Sequence, residues 1–274
     1  MKILMLESEH GRYMELKYAS CVAKEYAKDF KKKATVIEVE RPAPVEADAK
    51  IRRYNPDIIW FVGHGYVDRA TLENVKLWVT KDMPLDQFKG RIVVAHSCLT
   101  GVELGKVAVQ KGALAYYGYK KEMWFLWCDE TKYRNCSCDT WNEYGVRPEV
   151  WLKLVKYPHR PTLEFIKALL DGMTLEEAFT YSLKVSDDMI NELENIEPAS
   201  RVEASMIKVC EWAIKSNQVN QVLYVNKGGS TEMKQKPSNF LKIIGALALG
   251  SIGLLMMSLG GGVGAGKEVF GVQR

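Results

Sequence analysis

The chain has 274 residues, of which 47% are hydrophobic and 26% charged, an ordinary balance for a globular protein that leaves room for one large domain or two small ones. Its 38 Lys+Arg and 34 Asp+Glu leave a net charge of +4; the charges are interspersed rather than blocked, so nothing argues for nucleic acid and none is expected as a partner. Six cysteines are too few for a disulfide scaffold in so long a chain, and the N-terminal apolar run ILML is too short for a signal-peptide core, so a reducing, cytoplasmic setting is expected.

Strand and helix signals alternate along the body of the chain. KILMLE is a short apolar run. RYMELKYASCVAKEYAKDFKKK carries Met14, Tyr18, Val22 and Tyr26 at helical spacing. ATVIEVE is β-branched and strand-like, and PVEADAKIRRY is a short helix candidate. DIIWFVGHG and GRIVVAHSC are near-continuous apolar runs, as expected of strands buried on both faces. GVELGKVAVQKGA is helical, and LAYYGYK returns to a strand. Such alternation predicts a parallel sheet with helices on both sides, and ligands at the carboxyl ends of its strands. The domain is predicted over residues 1–225, with an insertion at about 122–160 that the periodicity does not resolve. NKGGSTEMKQKPSN lacks an apolar period and opens a linker over 226–240. Residues 241–266 then read as a transmembrane helix, followed by a short tail, 267–274. Within it Ile243 to Gly266 holds no charged residue in 24 positions; as a helix it rises about 36 Å, enough to cross a hydrocarbon core. Ala246 with Gly250 and Gly260 with Gly264 give the small-residue spacing that permits close helix packing. Lys234, Lys236 and Lys242 precede the span, Lys267 and Arg274 follow it, and this bias places the large domain on the cytoplasmic side. The alternatives are a buried helix with a glycine-rich tail, or a segment that inserts into a partner assembly.

His64 and Cys98 both fall at carboxyl ends of predicted strands. If those strands are neighbours, the two side chains share one sheet edge. The thiolate is the reactive form of cysteine, and an adjacent imidazole generates and stabilises it. A helix predicted from about Val102 would bring its positive end near Cys98. Gly65 has no side chain to keep its backbone N–H from a substrate oxygen, and with the Cys98 N–H it forms a candidate oxyanion hole. The chemistry would be acyl transfer: Cys98 attacks a carbonyl, backbone donors hold the oxyanion, and His64 protonates the leaving amine. Against this stands the plain alternative that Cys98 is a small buried hydrophobe and the glycine only makes a turn.

FVGHG and VVAHSCLTG, in that order, resemble the histidine and cysteine motifs of the caspase-like cysteine peptidases, the broad group of caspases, gingipains, separases and CHAT domains. VELGKVAVQKGALAYYGYKKEMW resembles the helix, Gly-Ala, strand and Gly-Tyr series of CHAT domains and gingipains. FIKALLDGMTLEEAFTYSLKVSDDMI, residues 165–190, resembles the late helix pair of the same group. The resemblance covers about residues 1–225. It implies a three-layer α/β sandwich with a mostly parallel central sheet, a catalytic pair of His64 and Cys98, and cleavage of peptide bonds in a protein or peptide substrate without metal or cofactor. A catalytically inactive domain of the same fold, serving as an interaction or membrane scaffold, is the alternative. A nucleotide-binding domain ranks last, because no glycine-rich loop follows the first strand.

Two departures bear on specificity. Caspases carry Gln two residues before the catalytic cysteine, where this chain has His96; strand parity puts His96 on the face of Cys98, so it either lines the substrate pocket or packs within the sheet. Asp129 and Glu130 in the insertion suit a basic substrate side chain, whereas Arg12 and His96 suit an acidic one; the analogy with gingipains and separases favours the basic one. Cys128, Cys136 and Cys138 with His159 match no common zinc spacing and read as buried or free thiols. Cys21 and Cys210 lie in helical patterns and read as core residues. His10 reads as surface, and Trp124, Phe125 and Trp127 as packing or groove-lining aromatics.

Overall fold

The computed structural model describes residues 1–8, 14–126, 133–134, 137–138, 145–226 and 230–233. Five strands predicted from sequence form: β1 (Lys2–Glu7), β2 (Thr35–Glu40), β3 (Ile58–Val62), β6 (Ile92–His96) and β7 (Ala115–Tyr119). Two further strands, β4 (Arg69–Leu72) and β5 (Lys76–Thr80), pair as an antiparallel hairpin between β3 and β6. Two-residue strands β8 (Tyr133–Arg134) and β9 (Ser137–Cys138) pair with each other. After the late helices come β10 (Gln221–Asn226) and β11 (Ser230–Met233), the latter within the stretch read as linker.

The main sheet has seven strands in the order β11-β10-β7-β6-β3-β1-β2. β2, β1, β3, β6 and β7 are parallel, and β10 and β11 close the edge antiparallel. Residues Ile58 to Val62 are buried throughout, which is why their sequence is continuously apolar rather than alternating.

Helices cover both faces. On one lie α1 (Met14–Phe30), α5 (Arg160–Leu170) and α6 (Leu175–Glu194), which enclose Ile3, Met5, Ile58, Trp60, Val62, Val94 and Tyr117. On the other lie α2 (Pro44–Tyr54), α3 (Leu104–Gln110) and the β4–β5 hairpin, against Leu4, Leu6, Ile59, Phe61, Val93 and Ala95. The split by odd and even positions is the period of two expected of a sheet buried on both sides. The architecture is therefore a three-layer α/β fold with a mostly parallel central sheet.

Local chemistry sets the helix ends. Pro44 starts α2 where its missing N–H costs nothing. Asn55 ends it in the left-handed region at φ 44°, its N–H closing on the Ile51 carbonyl. Thr174 and Glu177 form a reciprocal capping box at the start of α6. The region 122–160, unresolved from sequence, contains α4 (Pro148–Lys156), which packs with α6 and α7 (Arg201–Asn220) through Trp151, Leu154, Ile190, Ile207 and Ile214. Cys210, expected in the core, is fully buried, and burial pushes its thiol pKa up. Cys21, also expected as a core residue, is half-buried and disulfide-bonded. Cys98 and Cys210 are not disulfide-bonded.

No helix among the described residues is long and apolar enough to cross a membrane. The predicted span 241–266 and the tail 267–274 lie outside the described residues.

Candidate functional site

β3 and β6 are direct neighbours, paired in parallel with Val62 opposite His96. Two residues beyond this last pair in each chain stand His64 and Cys98. Gly63 N–H prolongs the ladder by donating to the His96 carbonyl at 3.5 Å. The chain then turns at once, because the hairpin captures it: Thr71 N–H donates to the His64 carbonyl at 3.1 Å and Tyr66 N–H to the Arg69 carbonyl at 2.8 Å. These two bonds flank Gly65, which bridges to Ala70 as a pair without hydrogen bonds of its own. Its amide therefore points away from β4.

Gly65 is fixed by contact. A Cβ at this position would lie 2.2 Å from the Cys98 carbonyl oxygen, 2.4 Å from Thr100 Cγ2 and 2.8 Å from Ser97 Oγ. The histidine loop thus rests on the backbone of the cysteine loop. Gly63 is similarly constrained, with Ser8 Cβ and the Phe61 ring within 2.8 Å of where its Cβ would be.

The cysteine loop is a tight turn. Leu99 adopts φ 58°, costly for a residue with a Cβ, and its N–H donates to the Lys121 carbonyl. Thr100 N–H closes on the Cys98 carbonyl at 2.7 Å, and Gly101 N–H donates to the Tyr119 carbonyl at 2.9 Å. Tyr224 OH donates to the Gly101 carbonyl at 2.8 Å. Cys98 itself is half-buried. Its Sγ accepts the Met123 N–H at 3.3 Å. An amide that can only donate favours the thiolate over the thiol.

The helix expected from about Val102 begins at Leu104. Glu103 and Leu104 N–H groups both donate to the Val67 carbonyl at 3.1 Å, so these first amides already have a partner, and nothing here assigns the cysteine a helix-end effect.

His96 lies on the Cys98 face, as strand parity predicted: Val94 and Cys98 belong to the same core cluster. It is 3% exposed, and its Nε2 is 3.0 Å from His159 Nδ1. His159 is fully buried, with Phe125 packed on its ring at 4.6 Å between centroids. The outer nitrogens, His96 Nδ1 and His159 Nε2, are buried without a hydrogen-bond partner among the described residues. Burial pushes the His96 pKa down to about 4; burial, and then the neighbouring His96, holds His159 well below the usual imidazole range.

The sign of the resulting pH dependence follows. Both folded-state values lie below the unfolded value of about 6.5, so the unfolded chain takes up protons that the folded one refuses. The pair's full stability is present above about pH 6.5 and is lost as pH falls toward 4. Between pH 7.5 and pH 5, His96 alone should cost about 2 kcal/mol. Urea unfolding of wild type and of the His96→Leu/His159→Leu double variant at the two pH values isolates the pair; the same pH slope in both proteins would refute it.

Glu7, at the carboxyl end of β1, was not singled out from sequence. It stands opposite Val62 in register and is fully buried on the α1 face. Lys24 of α1 is 3.4 Å away as an ion pair, although among the described residues neither carboxylate oxygen has hydrogen-bond geometry to a partner. Burial raises its pKa to about 7, against the opposing pull of Lys24. The only sign of it in sequence was an acid closing the apolar run KILMLE. Met123 and His159 lay in the unresolved region 122–160, and a backbone donor leaves no signature in residue type.

Arg12, Asp129, Glu130, His10 and Trp127 lie outside the described residues, as do Cys128, Cys136 and the side chain of Cys138. An open groove of about 590 Å³ at the α5–α6 turn, lined by Asp171, Glu176, Glu177 and Lys184 among others, holds none of the predicted site residues. No protein-family model matches the chain, and no curated protein is significantly similar to it.

Proposed function

We propose that this chain is a cysteine endopeptidase of the caspase-like superfamily, in which Cys98 attacks the scissile carbonyl and His64 serves as general base and then acid. The observation that carries the reading is the pairing of β3 with β6: Val62 faces His96 in register, His64 and Cys98 each follow two residues beyond that pair, and Gly65 packs on the Cys98 carbonyl. In this mechanism the Gly65 amide, directed away from the hairpin, and the Cys98 amide hold the tetrahedral oxyanion. The Met123 N–H on Sγ supports the thiolate before attack. His64 delivers its proton to the leaving amine, and water then releases the acyl group. No metal or cofactor takes part.

His96 bears on specificity. Its pairing with His159 closes it off from solvent, so a pocket role would require that pair to open. Recognition of a basic side chain by Asp129 and Glu130 is part of the proposal, as is recognition of an acidic one by Arg12 and His96 as its alternative. A fluorogenic library varied at the residue before the cut, offered to the full chain beside Cys98→Ala, tests both. Cleavage by wild type alone supports the peptidase. Silence from both, under reductant, with calcium and after limited proteolysis, favours the interaction module.

The apolar segment Ile243 to Gly266 would tether the enzyme to a membrane and raise the local concentration of substrates there. The domain is proposed to face the cytoplasm on the strength of the lysines before that segment. The full chain should sediment with vesicles, and a chain ending before Phe240 should remain in the supernatant. Detergent-free solubility of the full chain would instead favour insertion into a protein assembly.

A further inference from the structure

The Met123 amide does not reach Cys98 by accident of the chain path. The residue after it is held from the opposite direction by α7. Trp124 N–H donates to Asn217 Oδ1 at 2.8 Å, and Asn217 Nδ2 donates to the Trp124 carbonyl at 2.8 Å. One side-chain amide thus satisfies both polar groups of a residue in irregular backbone, as a neighbouring strand would. The Trp124 ring meets Trp212, also of α7, edge-on with centroids 4.8 Å apart. On the other flank, Leu99 N–H holds the Lys121 carbonyl. Met123 is 2% exposed between these two anchors.

Asn217 is itself 1% exposed. Asparagine is a poor helix former, and a buried amide is costly unless bonded. Its place on the inner side of α7 calls for a reason, and the Trp124 backbone supplies one. We propose that Asn217 is a positioning residue for Cys98: it clamps the peptide groups of Trp124 and thereby holds the Met123 N–H on the cysteine sulfur, where it favours the thiolate.

This rests on Cys98 as the nucleophile, but its test does not require peptidase activity. The rate of Cys98 alkylation by iodoacetamide is followed against pH in the full chain, read by mass on the tryptic peptide 92–106. Wild type is compared with Asn217→Ala, and folding of each protein is checked by its thermal transition. Loss of one donor to a thiolate should raise the midpoint of the profile by about one pH unit and slow alkylation near neutrality about tenfold. Should the alanine variant not fold, Asn217→Ser, which keeps an acceptor for the Trp124 N–H, should show a smaller shift in the same direction. An unchanged midpoint with faster alkylation at every pH would overturn the proposal, since the segment would then merely cover the thiol. An unchanged midpoint and rate would overturn it as well. A shifted midpoint in a chain that cleaves no peptide would uphold the clamp while sinking the peptidase.

Discussion

Cys98→Ala in the full chain is expected to lower peptide cleavage on the order of 10^4-fold, and His64→Ala by a similar factor. Neither variant should lose much stability. Cys98 is only half-buried, and His64 sits at the rim of the sheet beyond the last residue of β3. The two losses should not add. A base without a nucleophile and a nucleophile without a base are both idle, so the double variant should be no slower than either single one. Rates of wild type and the three variants on one peptide, beside their thermal transitions, measure this directly. Additive losses would mean that the two side chains act in separate steps or separate places.

Gly65→Ala should be nearly as damaging by a different route. The new methyl group would meet the Cys98 carbonyl at 2.2 Å, and that atom is backbone, so it cannot swing aside as a flexible side chain would. Thr100 N–H already holds the same carbonyl at 2.7 Å. The histidine and cysteine loops must therefore part. Overpacking of this kind costs roughly 1–3 kcal/mol. Separating the two proposed oxyanion donors should lower kcat on the order of 10^2- to 10^3-fold, with a smaller change in KM. Wild-type kcat in Gly65→Ala would show that this contact is not part of the machinery.

The features read correctly from sequence were those fixed by burial. The inner strands β1, β3 and β6 are near-continuous apolar runs because each is covered on both faces, and a residue buried on both sides has little freedom of type. Their carboxyl ends were equally legible, since FVGHG and VVAHSC switch abruptly from apolar to polar and glycine. The β4–β5 hairpin was missed because RATLENVKLWVT is short and mixed, with only Ala70, Leu72, Trp78 and Val79 facing the core. The antiparallel edge was missed for a related reason: β11 contains Ser230, Thr231 and Glu232, with no apolar run to announce it, and pairs with β10.

At the site, sequence gave residue types but not their partners. Parity placed His96 on the face of Cys98, yet nothing within β6 announced His159, which lies 63 positions later. Gly65 was read as clearance for a substrate oxygen, whereas its immediate constraint is the Cys98 carbonyl. The onset of α3 was read two residues early, because the turn Thr100 to Glu103 is closed by backbone bonds to Leu99 and Val67 rather than by a helix-breaking residue.

In the proposed mechanism His64 activates Cys98 as a nucleophile toward peptide carbonyls. The most direct measurement is the intact mass of the full chain after incubation with a panel of peptidyl chloromethyl ketones differing in the residue next to the electrophile. A single adduct is expected, mapped to Cys98, formed with one class of peptide, and slowed on the order of 10^3-fold or more in His64→Ala. Adducts spread over several cysteines, or labelling of Cys98 at the same rate without His64, would contradict it.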